Sequence, residues 1–92
     1  MLKYTFVGFE KATRRNKMYN GILKENKTGK IVKIPFGDNR YQNYGDKTKL
    51  NLYPQLITGN LERRRLYRLR HKKDLKTGFF SAGRFSYNIL WS

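Results

Sequence analysis

Arg63, Arg64, Tyr67, Arg68, Arg70, His71 and Lys72 fall within ten consecutive positions, inside the segment NLERRRLYRLRHKKDLK. Together these side chains suit one task above others, the grip of phosphate. A guanidinium presents a planar fork of N–H donors that meets two phosphate oxygens at once, and an ammonium supplies a point charge. A tyrosine ring stacks on a base or sugar, or donates its hydroxyl. Arg14, Arg15, Lys17 and Arg40 form a secondary set that would extend the same surface. Lys24, Lys27, Lys30 and Lys33 are also basic, but charge along a strand is ordinarily a solvated face.

Catalysis finds less support. The six carboxylates are Glu10, Glu25, Asp38, Asp46, Glu62 and Asp74, and they form no recognisable pair or metal-binding box. Magnesium-dependent phosphodiester cleavage needs convergent carboxylates. Asp38 and Asp46 are the one nearby pair, in a stretch where Asp ordinarily shapes turns. His71 with Tyr67 and Arg70 would suit a metal-free nuclease as base and phosphate clamp. A lone His on a basic helix is more commonly structural or a contact residue. Ser81 and Ser86 have no base partner suggested by spacing, and no Gly-rich phosphate loop is present. The expectation is a non-enzymatic protein with no catalytic residue, metal or cofactor.

Charge decides the partner class. Eight of the fourteen residues from Arg63 to Lys76 are Lys or Arg, in a chain of 92 residues with net charge +15 and a pI near 10.4. Such a density repels itself and costs stability unless a polyanion lies nearby. Nucleic acid fits best, DNA ahead of RNA. A membrane surface is not expected, because no basic helix with a broad apolar face is evident and no apolar run reaches membrane-spanning length. The apolar patch in MLKYTFVGFEKATRRN is too short and interrupted for a signal peptide, so secretion is not expected. With no Cys and one His, neither a disulfide framework nor a thiolate or multi-His zinc site can form. Lack of Cys suits a reducing compartment.

The elements that must position these residues fit one small α+β domain over 1–92. The first part, 1–36, reads as β-rich, with aromatic and β-branched residues in Lys3–Phe9, Lys17–Lys24 and Lys30–Phe36. Asn26 and Gly29 carry the chemistry of a hairpin closed by a type I turn and a left-handed Gly. Val32, Ile34 and Phe36 alternate onto one face, and Pro35 suits an edge strand or a strand end. A small three-stranded antiparallel sheet follows from these signals. The stretch 37–60 reads as a long loop carrying Tyr41, Tyr44 and Tyr53, with a short strand or helical turn near Leu50–Ile57. A basic helix is expected over 61–75, with Asn60 as N-cap, Glu62 in the first turn, Lys72 and Lys73 in the last, and Gly78 as its stop. The C-terminal segment, 79–92, places Ala82, Phe85 and Ile89 at the spacing of a short aromatic helix.

On a wheel of about 100° per residue, Leu61, Leu66 and Leu69 fall within about 140°, the width of a core-facing stripe. Arg63, Tyr67, Arg70 and His71 fall on the opposite side, bordered by Arg64 and Arg68. The leucines are therefore expected to serve the fold and the Arg-Tyr-Arg-His face to serve phosphate. For Tyr67 and His71, one helical turn apart, packing against the Tyr-rich loop is the competing reading.

Phe36-Gly37, then Arg63 or Arg64 with Tyr67, Arg70 and His71, then Ser81-Ala82-Gly83 and Leu90-Trp91 follow one another along the chain. In this the chain resembles a family of small basic uncharacterised proteins of large DNA viruses of eukaryotes and some tailed phages. The resemblance covers Phe36 to Trp91. The family's loop is usually shorter and carries an Asp just before the helix, where this chain has Asn60. The resemblance implies a viral protein and marks Arg63, Tyr67, Arg70 and His71 as the shared face. It implies a place in the virion or in the cytoplasm, nucleoid or nucleus of the host. The leading expectation is a viral or phage protein that binds nucleic acid through backbone phosphates. A minor structural protein on the genome-facing side of a capsid, touching capsid or other virion proteins, is the alternative, and a small nuclease the third.

Overall fold

A computed structural model of the chain describes residues 3–73 and 80–92. The expected end of the basic helix at 74–75, Asp74, the Gly78 stop and the start of the C-terminal segment at Phe79 lie outside the described residues. Three strands, β1 (Tyr4–Lys11), β2 (Tyr19–Glu25) and β3 (Ile31–Phe36), form an antiparallel sheet in the order β1-β2-β3. Two helices follow, α1 (Leu61–Arg70) and the short α2 (Ala82–Phe85), giving an α+β fold.

Local chemistry explains the sheet. At the β2–β3 turn Gly29 has φ +77, and its N–H donates to Glu25 O at 2.7 Å. Only a residue without Cβ adopts that backbone cheaply, which fixes the turn and the register. Pro35 sits near the end of β3, at the edge of the sheet, where its missing N–H interrupts no ladder. In β1 the register shifts between Phe6 and Gly8, and the intervening Val7 is 57% exposed. One face of the sheet carries the core: Tyr19, Leu23 and Phe36 are buried with Met18, Phe85, Leu90 and Trp91. Gly21 admits the Phe85 ring so closely that a Cβ there would lie 2.6 Å from it.

The stretch 37–60 is threaded back onto this core. Gly37 leaves β3 at φ +75, beneath Leu90 and Met18. Asn43 forms a parallel bridge with Ile57, and a single 3₁₀ turn, Pro54–Leu56, precedes it. Gly45 N–H donates to Leu90 O at 2.9 Å and Lys47 N–H to Ile89 O at 3.1 Å. The buried Tyr19 hydroxyl donates to Asp46 Oδ2 and accepts from Leu52 N–H at 3.2 Å. Asp46 Oδ1 takes Thr48 N–H at 2.8 Å and its hydroxyl at 2.6 Å. Tyr44 and Tyr53 pack against the core, whereas Tyr41 remains 64% exposed.

α1 begins as its sequence dictates. The Asn60 side chain accepts from Arg63 N–H at 3.0 Å, and Glu62 occupies the first turn, where the helix dipole favours an acid. It ends sooner than expected: Arg70 is its last residue, and His71 caps it by donating its N–H to Tyr67 O at 2.9 Å. The cations of its last turn are thus Arg68 and Arg70, with Lys72 and Lys73 in the tighter turn that follows.

The orientation of α1 reverses the expectation from the wheel. Leu61 and Leu69 are each 66% exposed and Leu66 is 41% exposed, so the leucine stripe faces away from the core. Arg64, Tyr67, Arg68 and His71 are half-buried instead. Their 0, 3, 4, 7 spacing makes them the inward face. The cause lies in what awaits them: Tyr44 from the loop, and Tyr87 and Trp91 from the C-terminal segment, offer ring faces that guanidinium planes and rings cover well.

Ser81 caps α2 by accepting from Arg84 N–H at 3.2 Å. The helix then widens into a π-type turn, Ser86–Leu90. Phe85 is buried and Ile89 half-buried, as their spacing suggests, but Ala82 is exposed, while Tyr87, Leu90 and Trp91 add three further buried residues.

Candidate nucleic-acid interface

α1 and the first part of the loop, from Gly37 to Asn43, face each other across a cleft of ≈ 790 Å³. Lys17, Arg63, Arg70 and His71 line it together with Asp38, Tyr41, Gln42 and Tyr67, and Trp91 also lies on its lining. A hydrogen bond ties the two walls: Arg63 Nη1 donates to Gln42 Oε1 at 2.7 Å. Lys17 reaches the same space because Asn39 N–H donates to Asn16 O at 3.1 Å, holding the β1–β2 connection against the loop.

The loop wall is stiffened by an Asx turn. Asp38 Oδ1 accepts from Arg40 N–H at 2.9 Å, and both carboxylate oxygens take the Arg40 guanidinium, at 3.0 and 2.8 Å. The Arg40 fork, with lesser help from the Arg40 backbone and Lys17, lowers the Asp38 pKa to about 2. Among the described residues, Asp38 is the only carboxylate lining the cleft, and its charge is already answered. Arg40 thereby serves the rim, with its guanidinium carbon 5.7 Å from the centre of the Tyr41 ring.

The floor is an aromatic stack. The Tyr67 ring lies parallel to Trp91 at 4.2 Å and to His71 at 4.1 Å. His71 is the end of that stack and also lines the cleft. Tyr67 and His71 therefore do pack, but on Trp91 of the C-terminal segment, whereas the competing sequence reading placed that packing against the Tyr-rich loop.

The remaining candidates separate by what they touch. Arg68 is committed internally, its guanidinium 4.2 Å over Tyr87 and its Nη1 donating to Trp91 O at 3.2 Å. Arg64 lies 5.3 Å over Tyr44, and its Nε is buried without a hydrogen-bond partner. Both residues help to hold α1, because π faces and a carbonyl engage their guanidinium groups. With Arg65, Lys72 and Tyr87 they border a shallow second groove on the other flank of α1. Arg65 is paired with Glu62 at 2.7 Å, and Lys72 is exposed. Arg14 and Arg15 are exposed on the β1–β2 connection, outside the cleft lining.

Sequence reading missed Gln42 and Trp91 as parts of this site, and weighed Asp38 as a turn former or, with Asp46, as a carboxylate pair. Asp38 and Arg40 carry a signal, since Asp two residues before a basic side chain favours an Asx turn with an ion pair. Gln42 carries none. Among the described residues, no three of His, Cys, Asp and Glu gather closely enough to hold a metal ion. Nor is any helix among them long and apolar enough to cross a membrane. Comparison with protein-family models, curated proteins and solved structures gives no match.

Proposed function

We propose that this chain is a viral or phage nucleic-acid-binding protein that works without catalysis, chiefly by contacts to backbone phosphates. The observation that carries the reading is the cleft between α1 and the loop. Three full cations, Lys17, Arg63 and Arg70, border it, against one carboxylate already paired with Arg40. Uncompensated positive charge in a concave, partly apolar site raises the local concentration of anions and strengthens each contact once water is displaced. Contacts to backbone phosphates carry no sequence information, so affinity without sequence preference is the natural outcome.

Binding of the full chain to labelled oligonucleotides, titrated with salt, tests this. Counterion release predicts a linear fall of log affinity with log salt. Changing Lys17, Arg63 and Arg70 to Ala together reduces that slope by about 0.7–0.9 for each phosphate the three side chains neutralise. Affinity indifferent to salt would sink the reading.

A structural role beneath a capsid draws on a different observation, the exposed strip of Leu61, Leu66 and Leu69. It predicts co-purification with particles stripped of nucleic acid, at fixed stoichiometry with a shell protein.

A further inference from the structure

We infer that the cleft takes an unpaired strand of nucleic acid in preference to a duplex; this rests on the phosphate-binding reading above and specifies its ligand. Two walls bound the site, and the Arg63–Gln42 hydrogen bond joins them from helix to loop. At ≈ 790 Å³ the half-open cleft is in the size range of small-ligand sites, room for a nucleotide or a strand end but not for a whole duplex.

The lining has the composition that unpaired strands require. Cations track the backbone, while ring faces receive bases, and stacking is tolerant of sequence because every base has a π face. Tyr41 is the ring in position to do this. It borders the cleft, it is 64% exposed, and the Arg40 guanidinium lies against it. Asp38 holds that guanidinium by two hydrogen bonds, so the Arg40–Tyr41 pair is oriented before any ligand arrives. A large exposed Tyr contributes little to the fold, and a base laid on it would shield apolar area now in water. In a duplex the bases are stacked on each other and offer no free face, so Tyr41 gains nothing there.

Fluorescence anisotropy with the full chain separates the outcomes. The probes are a labelled single-stranded DNA, a single-stranded RNA and a duplex of the same sequence, at one salt concentration. At least one single strand is expected to bind about tenfold or more tightly than the duplex. Tyr41→Ala is expected to weaken single-strand binding roughly 5- to 150-fold, the effect of losing one base–aromatic stack, and to weaken duplex binding much less. Tyr41→Phe, which keeps the ring, retains single-strand affinity. Duplex affinity equal to or above that of both single strands, or a Tyr41→Ala chain that binds them undiminished, overturns this inference while the phosphate reading stands. Failure of every probe to bind overturns both.

Discussion

The ring of Trp91 lies 4.2 Å from that of Tyr67 at an interplanar angle of 7°. This contact joins α1 to the C-terminal segment, and Arg68 reinforces it by donating to the Trp91 carbonyl. Because no residue of α1 is buried, its position depends on such side-chain contacts rather than on a leucine core. The cleft inherits its shape from that attachment.

Trp91→Ala should therefore destabilise the fold by about 3–5 kcal/mol, the range for truncating a buried aromatic. Trp91→Phe should retain much of that stability, since it keeps a ring against Tyr67. Thermal denaturation followed by circular dichroism measures both. Trp91 is the only Trp, so its fluorescence in the wild type reports the stack directly, and should redden when α1 detaches.

Arg68 and Arg70, two residues apart, should behave oppositely. Arg68→Ala removes a guanidinium packed on Tyr87 and a carbonyl hydrogen bond, and should cost about 1–3 kcal/mol of stability. Arg70→Ala should change stability by less than about 0.5 kcal/mol, as exposed substitutions do, yet reduce the salt slope of binding. Denaturant titration and binding measured on the same two variants give the comparison. A stable Arg68→Ala chain with weakened binding would reverse these assignments.

Leu61→Gln and Leu69→Gln should each shift stability by less than about 0.5 kcal/mol. Had the leucines faced the core, each truncation or polar replacement would cost about 2–5 kcal/mol. Urea midpoints of the two variants decide between the orientations.

The alternation and turn chemistry of the first 36 residues were legible because they are local. Gly29 determines its own turn, and Asn60 its own cap, within four residues of chain. The facing of α1 was not legible, because its reason is remote: Arg64 and Arg68 turn inward to rings of Tyr44 and Tyr87. A wheel ranks side chains by polarity and so sends arginines outward, although their planar heads cover aromatic faces well. Arg63, Tyr67, Arg70 and His71 do line one cleft, but two of the four reach it through the stack that binds α1. The loop wall escaped notice for the same reason, since Gln42 gains meaning only from Arg63 across the gap.

Stability should also fall at alkaline pH through Tyr19. Burial first, and then the Asp46 carboxylate to which its hydroxyl donates, push the Tyr19 pKa up to about 12, against about 10 in an unfolded chain. Between these values the unfolded state releases a proton that the folded state keeps. The contribution is thus complete below about pH 10 and lost as pH rises to about 12, worth roughly 2–3 kcal/mol over the window. Tyr19→Phe should remove that part of the slope and, at neutral pH, cost about 1–3 kcal/mol by leaving Asp46 Oδ2 and Leu52 N–H without the hydroxyl. Unfolding free energies at pH 8, 10 and 11.5 for both chains test the sign.

The bridge between Asn43 and Ile57 has a consequence for descent. It brings the two ends of an excursion together beside the core, and Gly59 N–H, donating to Tyr44 O at 3.0 Å, locks the exit next to the entrance. Between those clamps the chain is tied to the core again at Gly45, Asp46, Lys47 and Leu52, so a change of length confined to the tip between Thr48 and Leu52 leaves the start of α1 where it is. Closing a flexible loop costs little more as it lengthens. Added length is thus best tolerated at the tip around residues 49–51, short of Leu52, whose N–H is held by the Tyr19 hydroxyl, while the stretch that faces the cleft keeps its register.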